Sequence, residues 1–168
     1  DCGLYFGSQH VHKSEDCGKS WRIISPDLTS NDSIKQDQSK TGGLTLDVTG
    51  AENHTTLLVI EPSIHNADVI WTGSDDGRIQ KTTDGGKTWN NILYVNEQTG
   101  VADMVTDPTN PNKLIVAMWE HGRTPWFFNS GGKGSGLYIT YDGGENWKKI
   151  SAKDGLPKGE LGRIGLAV

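Results

Sequence analysis

The sequence predicts an all-β chain built from repeated four-stranded antiparallel units. Three observations lead there. An eight-residue pattern, [S/T]-x-D-x-G-x-[S/T/N]-W, occurs at Ser14–Trp21, Thr82–Trp89 and Thr140–Trp147. Between the copies lie short, β-branched runs bounded by Asn, Asp, Pro and Gly, the punctuation of strands. Gly is high at 22 residues and Trp at 6, with only 33% hydrophobic residues. That mix suits many short strands joined by glycine turns and disfavours a helical bundle. The repeat is read first because it sets the fold.

Each copy reads as a tight turn between two strands. The aspartate can accept hydrogen bonds from backbone N–H groups a few residues on, which closes the turn. The fixed glycine suits a backbone with positive φ, where a Cβ would clash. The first hydroxyl ties the incoming strand to the turn. The Trp opens the outgoing strand, offers a large apolar area and needs a partner for its indole N–H. A catalytic or calcium-binding aspartate is not needed three times in equivalent positions. Asp16, Gly18 and Trp21, Asp84, Gly86 and Trp89, and Asp142, Gly144 and Trp147 are therefore read as structural.

Aligning the copies backward from their aspartates gives the remaining strands. Leu4–Ser8 matches Ile70–Ser74, so the first unit begins at its second strand, followed by His10–Ser14 and Trp21–Ile24. The next unit has strands near Thr55–Ile60, Val69–Gly73, Arg78–Thr82 and Trp89–Tyr94. The third has Val101–Thr106, Leu114–Met118, Leu137–Thr140 and Trp147–Ile150, and Arg163–Val168 reads as the first strand of a fourth. Pro62–Asn66 and Asp107–Asn112 fill the same turn in two units. The aspartates stand 68 and 58 residues apart, more than a minimal four-stranded unit needs. The surplus falls at Ser25–Asn53, rich in Ser, Asp, Gln and Lys, and in a long loop at Trp119–Gly136.

The repeated pattern resembles the Asp-box, or BNR repeat, of sialidases, sortilin/Vps10 receptors and several glycoside hydrolases. There it marks the turn between the third and fourth strands of a β-propeller blade, on the face opposite the active site. The third copy has Asn146 where Ser or Thr is usual. The resemblance implies two whole blades plus partial blades at each end. It divides the chain into a partial blade (1–24), a connection (25–53), two blades (54–94 and 95–150), and a linker with one further strand (151–168). Propellers typically have four to eight blades, so the chain is expected to form part of a larger one. The remaining blades would come from the same protein, or from another copy completed by the strand at Arg163–Val168.

If the repeated turns mark the bottom, strand alternation puts Glu52, Asn53, His54, Asp75, Asp76, Arg163 and the Trp119–Gly136 loop on top. Loops from several units gather at such a mouth, where ligands usually enter. Cys2 and Cys17 fall at the bottom, on neighbouring strands. They are two unrelated small residues or a disulfide, and the geometry is reasonable for the bridge, which would fit an oxidising compartment.

Composition narrows the function classes. The net charge of −5 with no basic block gives nucleic-acid binding little support and disfavours an anionic membrane surface. No apolar run approaches a transmembrane length. There is no Cys/His cluster with zinc spacing and no EF-hand ligand run, so neither metal nor cofactor is expected. Gly131, Gly132, Gly134 and Gly136 lack the strand–loop–helix context of a phosphate loop.

Two groups of candidates remain. Trp119, Glu120, His121, Arg123 and Trp126, with Phe127 and Phe128, place aromatic faces beside polar groups. That combination suits sugar rings and also peptides, and it equally serves to bury a long loop against its neighbours. Asp75, Asp76 and Glu120 are candidate carboxyl groups for glycoside cleavage, which usually needs two at a defined separation. Asp75-Asp76-Gly77 is also an ordinary hairpin turn. Glu52 beside His54 resembles half of an acid–base pair or a hydrogen-bonded strand opening, and Arg163 completes the ligand-binding candidates.

A fuller resemblance rests on Ile24–Thr29, Ala51–Thr55 and Gly159–Gly165, which look like segments of large bacterial BNR-repeat proteins described as glycosyl-hydrolase-like or sortilin/Vps10-like. It implies an extracellular, periplasmic or cell-surface propeller. Sialidases bind the substrate carboxylate with three arginines, and Arg22, Arg78, Arg123 and Arg163 do not assemble into that set. Two functions follow: a module binding a glycan or protein on its top face, or a two-carboxylate, xyloglucanase-like glycoside hydrolase.

Overall fold

The computed structural model describes residues 2–37, 54–124 and 127–168, with the backbone alone for 123 and 124. Among them are twelve strands in three antiparallel sheets. The first sheet holds β1 (Leu4–Gly7), β2 (Val11–Ser14) and β3 (Arg22–Ile23), in that order. The second is a four-stranded meander of β4 (Leu57–Pro62), β5 (Ile70–Ser74), β6 (Arg78–Thr82) and β7 (Asn90–Tyr94). The third holds β8 (Thr99–Asp107), β9 (Asn110–Thr124), β10 (Phe127–Ser130), β11 (Gly136–Thr140) and β12 (Lys148–Ile150). Its meander runs β8-β9-β11-β12, with β10 added on the far half of β9. The chain is all-β, as the repeat requires.

The three turns are near-copies in atomic detail. In the second, the Thr82 hydroxyl accepts from Gly86 N–H at 3.0 Å and donates to Asp84 at 2.8 Å. Asp84 accepts from the Thr88 N–H and hydroxyl at 2.9 and 2.6 Å. The Trp89 indole donates to Gly86 C=O at 3.0 Å. Ser14, Asp16 and Ser20 repeat the set in the first turn, and Thr140, Asp142 and Asn146 in the third, where the amide of Asn146 replaces the hydroxyl. Gly18, Gly86 and Gly144 have φ of 85°, 99° and 102°, a left-handed backbone that favours glycine. The residue before each also has positive φ: Cys17, Gly85 and Gly143. Cys17 is bonded to Cys2, with Cα atoms 5.0 Å apart.

The sheets stack face to face. Val11, Leu28 and Leu57 are buried between the first and second, with Tyr5, Ile24, Ile60 and Trp89 packed around them. Trp71, Ile79, Val101, Met104, Leu114, Val116 and Met118 form the larger core between the second and third. Each fully buried aliphatic side chain contributes roughly 1.5–3 kcal/mol. Gly73 permits the close approach: a Cβ there would lie 2.5 Å from Val101 Cγ1. Gly7 stands in the same relation to Leu57.

Two sequence expectations are corrected. Arg163–Val168 is not a strand. It runs extended without a ladder, held by Leu166 N–H donating to Asp103 at 2.8 Å, and Leu161 makes a single bridge to Gly132. A strand needs a neighbour to exchange hydrogen bonds with, and none lies beside it among the described residues. Nor is Trp119–Gly136 an irregular loop. β9 continues through Thr124 and β10 folds back on it, pairing Phe127 with Thr124 and Ser130 with His121. Pairing satisfies backbone groups that a loop of this length would leave to water.

Candidate functional site

The connections opposite the repeated turns converge. β5–β6 turns through Asp75–Gly77, β7–β8 through residues 95–98, and β9 passes to β11 by way of the β10 hairpin. Gly77 sits against Thr99 C=O and Asn96 C=O, Gly100 against Asp75, and Gly134 against the Thr99 hydroxyl and Glu120. Three loops thus share one end of the stack.

The carboxyl groups there are engaged by the protein itself. Asp76 is buried. It accepts from the Ser74 hydroxyl and Ser30 N–H, and Arg78 lies 4.0 Å away. Burial pushes its carboxyl up, but those hydrogen bonds and the Arg78 charge outweigh burial and hold it below the usual range. Asp75 behaves oppositely. Burial raises it, the Asp76 charge adds to that, and Thr56 N–H at 2.8 Å and His54 at 3.7 Å only partly compensate. Asp75 is therefore the carboxyl group of this end held toward its protonated form. Among the described residues the buried His54 Nε2 atom has no hydrogen-bond partner.

Glu120 lies apart from the aromatic residues that adjoin it in sequence. Successive side chains of a strand point to opposite faces, so Glu120 faces away from Trp119 and His121. Its carboxylate accepts from Gly134 N–H at 2.7 Å and fills the space over Gly132. A side chain at either glycine would collide with it.

Trp119 and His121 share the other face and stack, ring centroids 4.2 Å apart and 15° from parallel. Phe128 meets Trp119 edge-on at 6.0 Å. The indole N–H donates to the Ser130 hydroxyl at 3.0 Å, and the Arg163 guanidinium lies 5.5 Å from the ring. Phe127 and Phe128 are exposed on the hairpin. The burial expected of them as loop anchors is not what the structure shows. Glu52 and Trp126 lie outside the described residues, as does the Arg123 side chain.

Three contributors were not visible in the sequence reading. Ser30 and Leu28, from the polar connection, reach the second sheet: Ser30 N–H to Asp76, and Leu28 C=O accepting from Gln80 at 3.4 Å. Asn96 caps the β7–β8 loop through the Thr99 hydroxyl at 2.7 Å. The one available signal was Leu28, an apolar residue amid polar neighbours, which the structure buries. Among the described residues no group of three or more His, Cys, Asp or Glu is placed to hold a metal ion. No helix among them is long and apolar enough to cross a membrane.

Comparison with known proteins decides the architecture. The chain superposes on an ancestral GH74 enzyme with a TM-score of 0.57, covering 88% of this chain and 16% of that one at 17% identity. It superposes on the GH74 enzyme of Niastella koreensis with a TM-score of 0.54, covering 88% of this chain and 19% of that one at 20% identity. The fold is a β-propeller segment. Its sheets are the blades, and the likeness at these identities is one of fold. In sequence, 102 residues are 26% identical to a probable oligoxyloglucan-reducing end-specific xyloglucanase of Neosartorya fischeri, covering 58% of this chain. The match spans 11% of that relative's length. No family model matches the chain.

Proposed function

We propose that this propeller segment binds a glycan at the blade end opposite the repeated turns, through Trp119, His121, Phe128 and Arg163. The observation that carries the reading is the aromatic–cationic cluster on the β9–β10 hairpin. Aromatic rings present flat apolar faces suited to the C–H faces of sugar rings, and Arg163, His121 and Ser130 supply polar groups at the edge. The name of the similar Neosartorya fischeri protein points to xyloglucan as the first glycan to try. Residues 1–24, 54–94 and 95–150 act as successive blades in this reading, joined by 25–53 and continued by 151–168. The Cys2–Cys17 bridge favours an oxidising, extracytoplasmic setting.

Isothermal titration with xyloglucan oligosaccharides tests it. Saturable binding is expected, weakened about tenfold or more by Trp119→Ala. A wild-type chain that binds only a peptide or protein ligand there, or no glycan at all, overturns the reading.

One observation favours a second reading, glycoside hydrolysis. Asp75 is held toward its protonated form, as a general acid must be, and both similar solved structures are of GH74 enzymes. Against it, Asp76 and Glu120 are each committed to internal hydrogen bonds. Release of reducing ends from xyloglucan, lost in Asp75→Asn, would establish it. Binding without turnover would leave the chain a binding module.

A further inference from the structure

Trp119 is already engaged by the protein itself. Its indole N–H donates to the Ser130 hydroxyl at 3.0 Å, and Phe128 meets it edge-on with ring centroids 6.0 Å apart. The Arg163 guanidinium lies 5.5 Å from the ring centroid. His121 lies flat against the indole, 4.2 Å away and 15° from parallel. A sugar ring packing on an aromatic face needs the same parallel seat, with carbon atoms at about 3.5–4.0 Å. The imidazole and a sugar cannot both occupy it.

The two stacked rings are held unequally. Trp119 is fixed by a hydrogen bond and an edge contact, both from the neighbouring strand β10. The His121 backbone is fixed too: its N–H donates to Gln98 C=O at 3.1 Å, and it pairs with Ser130 in the β9–β10 register. Its ring has less to hold it. Among the described residues the ring's one polar contact is Nδ1 at 3.3 Å from Trp119 C=O. A side chain changes rotamer without disturbing its strand, within picoseconds to nanoseconds where it is exposed. The cross-strand neighbour Ser130 is small and exposed, which leaves room for the imidazole to turn.

We propose that His121 is a gate: it occupies the sugar's seat on Trp119 in the free protein and swings aside when the glycan binds. The inference rests on the glycan reading and adds that the site is self-occupied until a ligand arrives. Swung aside, the imidazole meets the sugar at its edge, so one residue serves in two positions. The gate also selects. A ligand must bring a flat apolar face to displace the ring, and a solute with polar groups alone does not. A gate that is mostly closed lowers the apparent affinity and association rate by the fraction of molecules in which the seat is open.

Proton NMR of the His121 ring, followed during titration with a xyloglucan oligosaccharide, tests it. In the free protein the indole ring current should hold the His121 ring-proton signals upfield, and Trp119→Ala should release them. At saturating sugar the wild-type signals should move to the released positions. Stopped-flow mixing supplies a second readout. His121→Ala should raise the association rate about tenfold, the gain expected if the seat is open in about one molecule in ten. His121→Phe, which keeps a flat ring over the seat, should show no such gain. His121→Ser serves if circular dichroism shows His121→Ala misfolded. Sugar that binds while the His121 signals stay upfield, or an association rate unchanged in His121→Ala, overturns the gate and leaves the glycan reading standing. No binding by either the wild type or His121→Ala overturns the glycan reading and the gate with it.

Discussion

Replacing the turn tryptophan by alanine in each repeat separates the turn from the blade joint. The three residues are equivalent in sequence and differ in surroundings. Trp21 is 45% exposed and, among the described residues, its indole donates only to Gly18 C=O at 3.1 Å. Trp89 is half-buried against the Val11–Leu28–Leu57 core, and Trp147 is half-buried with a second acceptor in the preceding blade, Ile92 C=O. Truncating a fully buried Trp costs about 3–5 kcal/mol, so half-burial gives roughly 1.5–2.5 kcal/mol at Trp89 and Trp147. Trp147 adds about 1 kcal/mol for the interblade hydrogen bond. Trp21 should cost about 1 kcal/mol or less. At roughly 2–4 °C per kcal/mol for a chain of this size, the Tm losses are about 3–14 °C for the two joint residues and about 4 °C or less for Trp21. Differential scanning fluorimetry at low protein concentration reads this directly. Equal losses at all three positions would refute the joint, leaving the Trp as part of the turn alone.

Acid should act through the repeated turns. Hydrogen bonds from Ser20 and Ser14 hold the Asp16 carboxyl at about 2, Lys148 and Ser151 hold Asp154 at about 2, and Asp84 and Asp142 are also well lowered. A lowered carboxyl stabilises above its unfolded value of about 3.9 and loses that contribution as pH falls through the folded one. The contribution of these carboxylates to Tm should therefore hold from pH 7 to 5 and fall between about pH 4 and 2, and a loss of Tm centred near pH 6 would contradict it. Asp75 carries the opposite sign: its raised carboxyl costs stability once ionised, so Asp75→Asn should raise Tm at pH 7, with the gain vanishing toward pH 4. Asp76→Asn should instead lose about 1.5–3 kcal/mol, since it weakens charge-assisted bonds to Ser30, Ser74 and Arg78. The Cys2–Cys17 bridge closes a separation of 15 residues, worth about 3 kcal/mol by chain entropy. Reduction should loosen the first sheet, with hydrogen exchange accelerating at β1–β3 and unchanged at β8–β12.

The repeat made the fold readable because it fixes register. Once Asp16, Asp84 and Asp142 are aligned, strand order follows, and the meanders β1–β3, β4–β7 and β8-β9-β11-β12 match that order, with β10 unforeseen. What failed was non-local. The strand expected at Arg163–Val168 has the right residues but no neighbour among the described residues, and pairing is a property of two segments. The β9–β10 hairpin was hidden because the sequence between its strands carries none of the usual Asn-Gly or Asp-Gly signals. Grouping Glu120 with Trp119 and His121 treated the stretch as a loop. Strand alternation then sends the carboxylate to the opposite face. Ser30 reaching Asp76 crosses 46 residues, a distance local pattern does not span.

The glycan reading is tested most directly by a 15N-resolved titration of the tryptophan indole N–H groups with a xyloglucan oligosaccharide. The account predicts saturable shifts at Trp119, with Trp21, Trp89 and Trp147 at the turn end unmoved. Shifts confined to the turn end, or no shift at Trp119 at saturating sugar, would contradict it.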